Sequence, residues 1–164
     1  ALPIFEFEVA VWLGEDLVGA PGSHTRESVA STISECAVAF ELIEDRNADY
    51  TALDGFSVTV ENCWNAGVVL GHQTRDWQAV DMVNGATRLL VNGEFEGEGR
   101  TGDALGHPFE AVAWLANLMA SRGEVLSAGS FVMTGSSITT RFPAPGDNYK
   151  FEIAGLGDVS AEFV

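Results

Sequence analysis

The sequence predicts an α+β protein that is mainly β, a mixed sheet rolled or sandwiched, with one long and one short helix. Three observations lead there. Short apolar runs alternating with period two recur from Ile4 to Phe163, and only the stretch after Pro108 keeps helical spacing over several turns. Gly-, Pro- and Asn-rich turns cut the runs, Asn92-Gly93 being the strongest hairpin signal among them. A chain of 164 residues, 46% of them apolar, is long enough for one domain with a substantial core, so residues 1–164 are taken as a single domain.

In order, Ile4 to Leu13 reads as a strand with two different faces. Phe5, Phe7, Val9 and Val11 point one way, and Ile4, Glu6, Glu8 and Ala10 the other. Two acids side by side on one face repel each other unless a cation lies between them. A bound divalent metal is the simplest answer, and a solvated acidic edge strand is the alternative. Gly14 to Ser23 is a loop, and Thr25 with Ser28 opens a short helix expected to run through Val29 and Ile33 and at most to Cys36. The strand around Val38 to Ile43 carries a third acid, Glu41, which must be paired, metal-bound or placed at the strand's end, with Arg46 as the obvious ion-pair partner.

A polar, turn-rich stretch follows, then a short strand Val68 to Leu70, a strand over Asp76 to Val83, and a type I′ hairpin at Asn92-Gly93. The glycines from Gly97 to Gly106 do not make a phosphate loop, because no Gly-Lys-Ser/Thr closes them and Glu96, Glu98 and Asp103 would repel a phosphate. Pro108 starts the long helix, with Val112, Leu115 and Met119 on one stripe and Arg122-Gly123 at its end. The last third is strand-rich, from Phe131 through Ile138 to Phe142, Tyr149 to Ile153 and Val159 to Phe163.

Composition narrows the function. There are 24 Asp and Glu against 8 Lys and Arg, a net charge of -16 that disfavours nucleic acid and anionic membrane as partners. No apolar run is long enough to span a bilayer and no signal-peptide pattern opens the chain, so a soluble, cytoplasmic protein is expected. Cys36 and Cys63 have neither the number nor the spacing of a disulfide framework or zinc site and are expected as buried thiols. Lining a pocket is open to Cys63, Trp64 and Trp114, but core packing is the expectation for each. The chain opens on Ala1 and enters a strand almost at once, as a piece of a longer protein would.

Several segments occur together in a familiar order. They are Glu6-x-Glu8; Ala39 to Ile43 ending in Arg46; Asn65 to Gly71; Asn92-Gly93; Gly106-His107-Pro108 leading to Ala113 through Ala116; Ala128-Gly129; Thr134-Gly135-Ser136; and Gly146-Asp147. In this the chain resembles the 2-oxopent-4-enoate hydratase and 4-oxalocrotonate decarboxylase group of the fumarylacetoacetate hydrolase superfamily, from about Glu6 to Val164. The resemblance implies a divalent metal, Mg²⁺ or Mn²⁺, on Glu6, Glu8 and Glu41, and a substrate contact at Ser136. It implies a lyase that hydrates a small unsaturated 2-oxo or 2-hydroxydienoic acid through a metal-stabilised enolate, in the breakdown of aromatic compounds. A 4-oxalocrotonate-type decarboxylase shares that intermediate and is the alternative. Two others are a carbon-carbon hydrolase of the same superfamily, which would need one of His24, His72 or His107 beside a glutamate, and a non-catalytic subunit that needs a partner chain.

Two departures from the group's pattern stand out. Its members carry a proton-handling lysine upstream of the E-x-E strand, a segment absent from this sequence, and Lys150 is misplaced to replace it, so the catalytic residue is left unassigned. Where relatives tend to have Asp-x-x-x-Asp-Asn, this chain has Ser57 and Glu61 before Asn62. The group also implies homo-oligomers, and a hetero-complex with a related hydratase or decarboxylase subunit.

Overall fold

The computed structural model describes residues 3–164. Two four-stranded sheets face each other. In the first, β3 (Asn65–Leu70), β2 (Ile33–Ile43), β1 (Ile4–Leu13) and β6 (Phe131–Ser136) lie in that order. In the second the order is β5 (Glu94–Arg100), β4 (Ala86–Val91), β7 (Asn148–Ile153) and β8 (Gly157–Glu162). The mainly β, α+β class expected from the sequence is what forms, but every strand pairing is antiparallel where a mixed sheet was expected. No connection is a long helical crossover between neighbouring strands, so nothing forces parallel pairs.

The core lies between the sheets and is aromatic. The inner face of β1 presents Phe5 and Phe7, which meet Phe40 of β2, Tyr149 and Phe151 of β7, and Phe163. Phe5 stacks on Phe40 with ring centroids 4.7 Å apart, and Phe7 meets Phe151 edge-on at 5.5 Å. Asn92 and Gly93 both take positive φ, 54° and 84°, which is the type I′ turn that joins β4 to β5.

Three α-helices flank the sheets: α1 (Arg26–Ala30), α2 (Gly55–Val60) and α3 (Pro108–Ser121). α1 starts at the reciprocal Thr25–Ser28 capping box and stops at Ala30, short of Ile33, which already belongs to β2. α2, in a stretch read as turns, forms because Asp54 caps it, its carboxylate accepting from the Ser57 N–H at 2.7 Å. α3 carries Pro108 in its first turn and a His107 cap, and it buries Phe109, Val112, Ala113 and Ala116. Its stripe is shifted from the expected one, and Leu115 and Met119 are only partly covered.

Two expected strands do not form as such. Over Asp76 to Val83 the chain makes a 3₁₀ turn at Trp77–Ala79, and the Asp81 carboxylate then accepts from the Val83 and Asn84 N–H groups, turning the backbone away from a ladder. Ile138 to Phe142 keeps a single bridge, Phe5 to Arg141, as the chain leaves β6 and runs on beside β1. That run brings Thr140 alongside Glu6.

Candidate metal centre

β1 sends Glu6 and Glu8 from one face, and the antiparallel register sets Glu41 of β2 directly opposite Glu6. One carboxylate oxygen from each lies within 4.8 Å of the other two. Like charges this close repel strongly, and Glu8 is only 2% exposed. Burial pushes the Glu8 carboxyl up to about 8; the Gly135 N–H works against this, and the charges of Glu41 and Glu6 add to it. Glu6 is also raised, first by burial and then by Glu41, with a hydrogen bond from Thr140 opposing.

Among the described residues no Lys or Arg lies within ion-pair distance of the three. Arg46, the expected partner of Glu41, bonds Glu61 instead at 3.4 Å. Glu41 accepts from the Asn65 amide at 2.7 Å, and Glu6 from the Thr140 hydroxyl at 3.2 Å. Glu8 is held by backbone. Between Glu8 and Ala10 the β1–β6 register shifts, two residues of β6 standing against Val9 alone, and this bulge places Gly135 at φ 100°. Its N–H leaves the ladder and donates to Glu8 at 2.7 Å, while the Thr134 hydroxyl ties the bulge to the Val9 carbonyl at 2.7 Å.

Three converging carboxylates, with no thiolate or imidazole among them, are a hard oxygen donor set of the kind that suits Mg²⁺, Ca²⁺ or Mn²⁺. A divalent cation would offset the burial and the neighbouring like charges that raise the Glu8 carboxyl. The donor set fits such an ion.

Beyond Glu6 the same face continues into a groove of about 340 Å³. Ile4 and Ile43, opposite each other in register, form its floor, and Tyr50, Val58, Trp64 and Phe142 its sides. Cys63, expected to be buried, is exposed on the groove's rim. Asn62, Cys63 and Trp64 all have positive φ, 54°, 49° and 58°, so a left-handed turn lifts them off the sheet. Trp64 consequently lines the groove rather than the core, and Trp114 stands 65% exposed on α3.

Ser136 pairs with Glu8 across the β1–β6 ladder. Its hydroxyl accepts from the Phe7 N–H and donates to the Ile138 carbonyl, both at 2.8 Å, which leaves one lone pair free. The histidines are elsewhere: His24 is joined through its backbone to the Asn117 amide, His107 caps α3, and none belongs to the glutamate cluster. Lys150 sits on the second sheet between Glu152 and Asp158. Glu61 is engaged by Arg46 and by the Trp64 indole, and Ser57 by Asp54. Gly135, Thr140 and Asn65, which hold the three acids, were not assigned these roles from sequence. Their one common signal is nearness in the chain to Ser136 or to the Asn65–Gly71 segment.

The sequence matches the family described as fumarylacetoacetate (FAA) hydrolase C-terminal over residues 3–164. The chain belongs to that family. A 4-oxalocrotonate decarboxylase of Pseudomonas putida is 36% identical over 99% of the chain, and a 2-hydroxyhexa-2,4-dienoate hydratase of Comamonas testosteroni is 35% identical over 98%. The chain spans 60% of the length of each of these curated relatives. A solved structure, 4-oxalocrotonate decarboxylase from Pseudomonas putida G7 complexed with magnesium and adipate, superimposes with a TM-score of 0.90 at 34% identity, covering 99% of this chain and 61% of that one. The family resemblance and the FAA hydrolase C-terminal fold expected from the sequence are therefore both correct. No described helix is long and apolar enough to cross a membrane.

Proposed function

We propose that the protein is a metal-dependent lyase that hydrates a small unsaturated 2-oxo acid, of the 2-oxopent-4-enoate type, in aromatic-compound catabolism. The observation that carries this reading is the trio of Glu6, Glu8 and Glu41, with oxygens within 4.8 Å of one another, at the mouth of an apolar groove. Its support from relatives is that hydratases and decarboxylases of such acids match nearly the whole chain, one of them with magnesium bound.

Glu6, Glu8 and Glu41 would hold Mg²⁺, or Mn²⁺, whose chemistry is to offset the negative charge on a 2-oxo acid's carboxylate and 2-oxygen as the neighbouring carbon exchanges a proton. The chain's own residues set up that exchange. Gly135, Thr140 and Asn65 fix the three carboxylates, so that little reorganisation is needed when charge develops. Ser136 would meet the substrate carboxylate through a bridging water that donates to its free lone pair. The groove walls exclude water from the conjugated tail.

A decarboxylase is the second reading, supported by relatives of that name at 36% identity. One experiment separates them. The purified protein with magnesium is given the dienol of each candidate acid, loss of the dienol absorbance is followed, and the product is weighed. A product heavier by one water establishes the hydratase and one lighter by carbon dioxide the decarboxylase; no turnover of any dienol, with metal bound, would refute a catalytic role for this chain and leave the partner-dependent subunit. The proposal includes a homo-oligomer in the cytoplasm, able to pair with a related hydratase or decarboxylase subunit, which sedimentation of the protein alone and mixed with such a subunit would test.

A further inference from the structure

The two relatives of nearly equal identity act, by their names, on chemically different tails. 4-Oxalocrotonate ends in a second carboxylate, and 2-hydroxyhexa-2,4-dienoate in a methyl group. Identity does not separate them, but the groove does.

The groove starts at Glu6, so a 2-oxo acid held at the glutamate trio has its far end among Ile4, Ile43, Val58 and Phe142. Among the described residues no lysine or arginine lines it. Its polar side-chain hydrogens are already committed to acids. The Tyr50 hydroxyl donates to Asp45 at 2.7 Å, the Trp64 indole N–H to Glu61 at 3.2 Å, and the Thr140 hydroxyl to Glu6 at 3.2 Å. Among the described lining residues only the Cys63 thiol, a weak donor, is left. Arg46 lies past Trp64 in a neighbouring hollow, where Glu61 neutralises it. A distal carboxylate would exchange its hydration for aliphatic surface and would face Glu6 and the chain's net charge of -16. A hydrocarbon end would lose nothing and gain contact. The volume of about 340 Å³ is at the small end of the usual range for small-molecule sites, so the tail is short.

We infer that this groove is the tail subsite of the proposed metal centre and selects unsaturated 2-oxo monocarboxylates with a short, uncharged tail, rejecting dicarboxylates of the same length. Tyr50, Trp64 and Thr140 set this preference by turning their hydrogens away from the groove. The inference rests on the reading of the glutamate trio as a metal site, and its test separates the two.

The test is calorimetry of the magnesium-loaded protein with three non-reacting probes: oxalate, which has no tail, 2-oxohexanoate, and 2-oxohexanedioate, which differs from it in carrying a terminal carboxylate. Oxalate should bind only with magnesium, and 2-oxohexanoate about tenfold or more tighter than the diacid, the cost of a poorly solvated, unpaired carboxylate. Val58→Arg should bring the diacid level with the monoacid or ahead of it. Phe142→Arg repeats that test on a side chain already 71% exposed, where folding is not at stake. Oxalate binding together with a diacid equal to or tighter than the monoacid would overturn the tail inference and leave the metal centre standing. Failure of oxalate to bind with magnesium would overturn the metal centre and this inference with it.

Discussion

The two faces of the β1–β2 pair are built from alternate residues of the same strands and obey opposite rules. On the inner face Phe5, Phe7 and Phe40 are almost wholly buried and pack against one another and other aromatic rings, so each side chain stabilises the fold by being there. On the outer face Glu6, Glu8 and Glu41 crowd together, and burial with the nearby Glu41 charge makes Glu6 and Glu8 less stable as charges. One face serves stability and the other gives up stability for binding. The strand alternation keeps the two a single residue apart.

Cutting into the inner face should have the largest effect. Phe7→Ala removes a fully buried ring from the inter-sheet aromatic cluster and should destabilise the protein by about 3–5 kcal/mol. Denaturant melts with and without magnesium check this. A loss below about 1 kcal/mol would mean that the cluster is loosely packed and the contrast between the faces is overdrawn.

Glu8→Gln is the matching cut on the outer face and should do the reverse. Magnesium affinity should fall by at least about 100-fold, as a ligand counts for more than the outer partners whose loss costs about 10- to 100-fold. The metal-free protein should not be destabilised at neutral pH or above, since a neutral amide replaces a buried carboxylate and can still accept from Gly135. Calorimetry and thermal melts read the two effects separately. Loss of stability with metal affinity intact would invert the assignment of the faces.

The inner face was legible from the first ten residues, because a buried strand face is written as alternation and nothing else about the fold is needed to read it. The acids of the outer face were legible as a puzzle: period two put Glu6 beside Glu8, and Glu41 was conspicuous in an apolar run. The register that sets Glu41 against Glu6 was not, since pairing depends on strands that share no local signal. Nor were the holders. Gly135 acts through a bulge that exists only once β1 and β6 are paired, and Thr140 reaches Glu6 from a segment read as an ordinary strand. α2 was missed because none of its residues is buried and its cap, Asp54, precedes no apolar stripe. Cys63 and Trp64 look like core residues, but the left-handed turn puts them on the groove instead.

A change of pH sharpens the contrast without any substitution. The Glu8 carboxyl is raised in the fold from 4.5 to about 8, so its protonated form is the one the metal-free fold favours. Its contribution is therefore complete below about pH 4.5 and is lost as pH rises through about 8. The metal-free wild type should lose stability over that window relative to Glu8→Gln, which lacks the group. Magnesium takes the carboxylate form, so its binding should release protons near neutral pH and tighten as pH rises. Calorimetry in buffers of different ionisation enthalpy counts the protons. No release would show that Glu8 is already ionised in the metal-free protein and that burial is not holding it protonated.

The smallest effects should come from the residues that hold the acids. Asn65→Ala removes the 2.7 Å hydrogen bond to Glu41, and Thr140→Val removes the 3.2 Å bond to Glu6 at constant shape. Each should weaken magnesium by about tenfold, the lower end for outer-shell partners, with the longer Thr140 bond costing less. Melting should shift little, because one modest hydrogen bond is worth about 1 kcal/mol and each loss also frees an acid from a fixed position close to its like-charged neighbours. Calorimetry of the two variants beside the wild type decides whether orientation matters. Unchanged affinity in both would mean that the register of β1 and β2 alone places Glu6 and Glu41. The outer face would then be as fully specified by its strands as the inner one, and only Glu8, held from the β6 bulge, would depend on a third element.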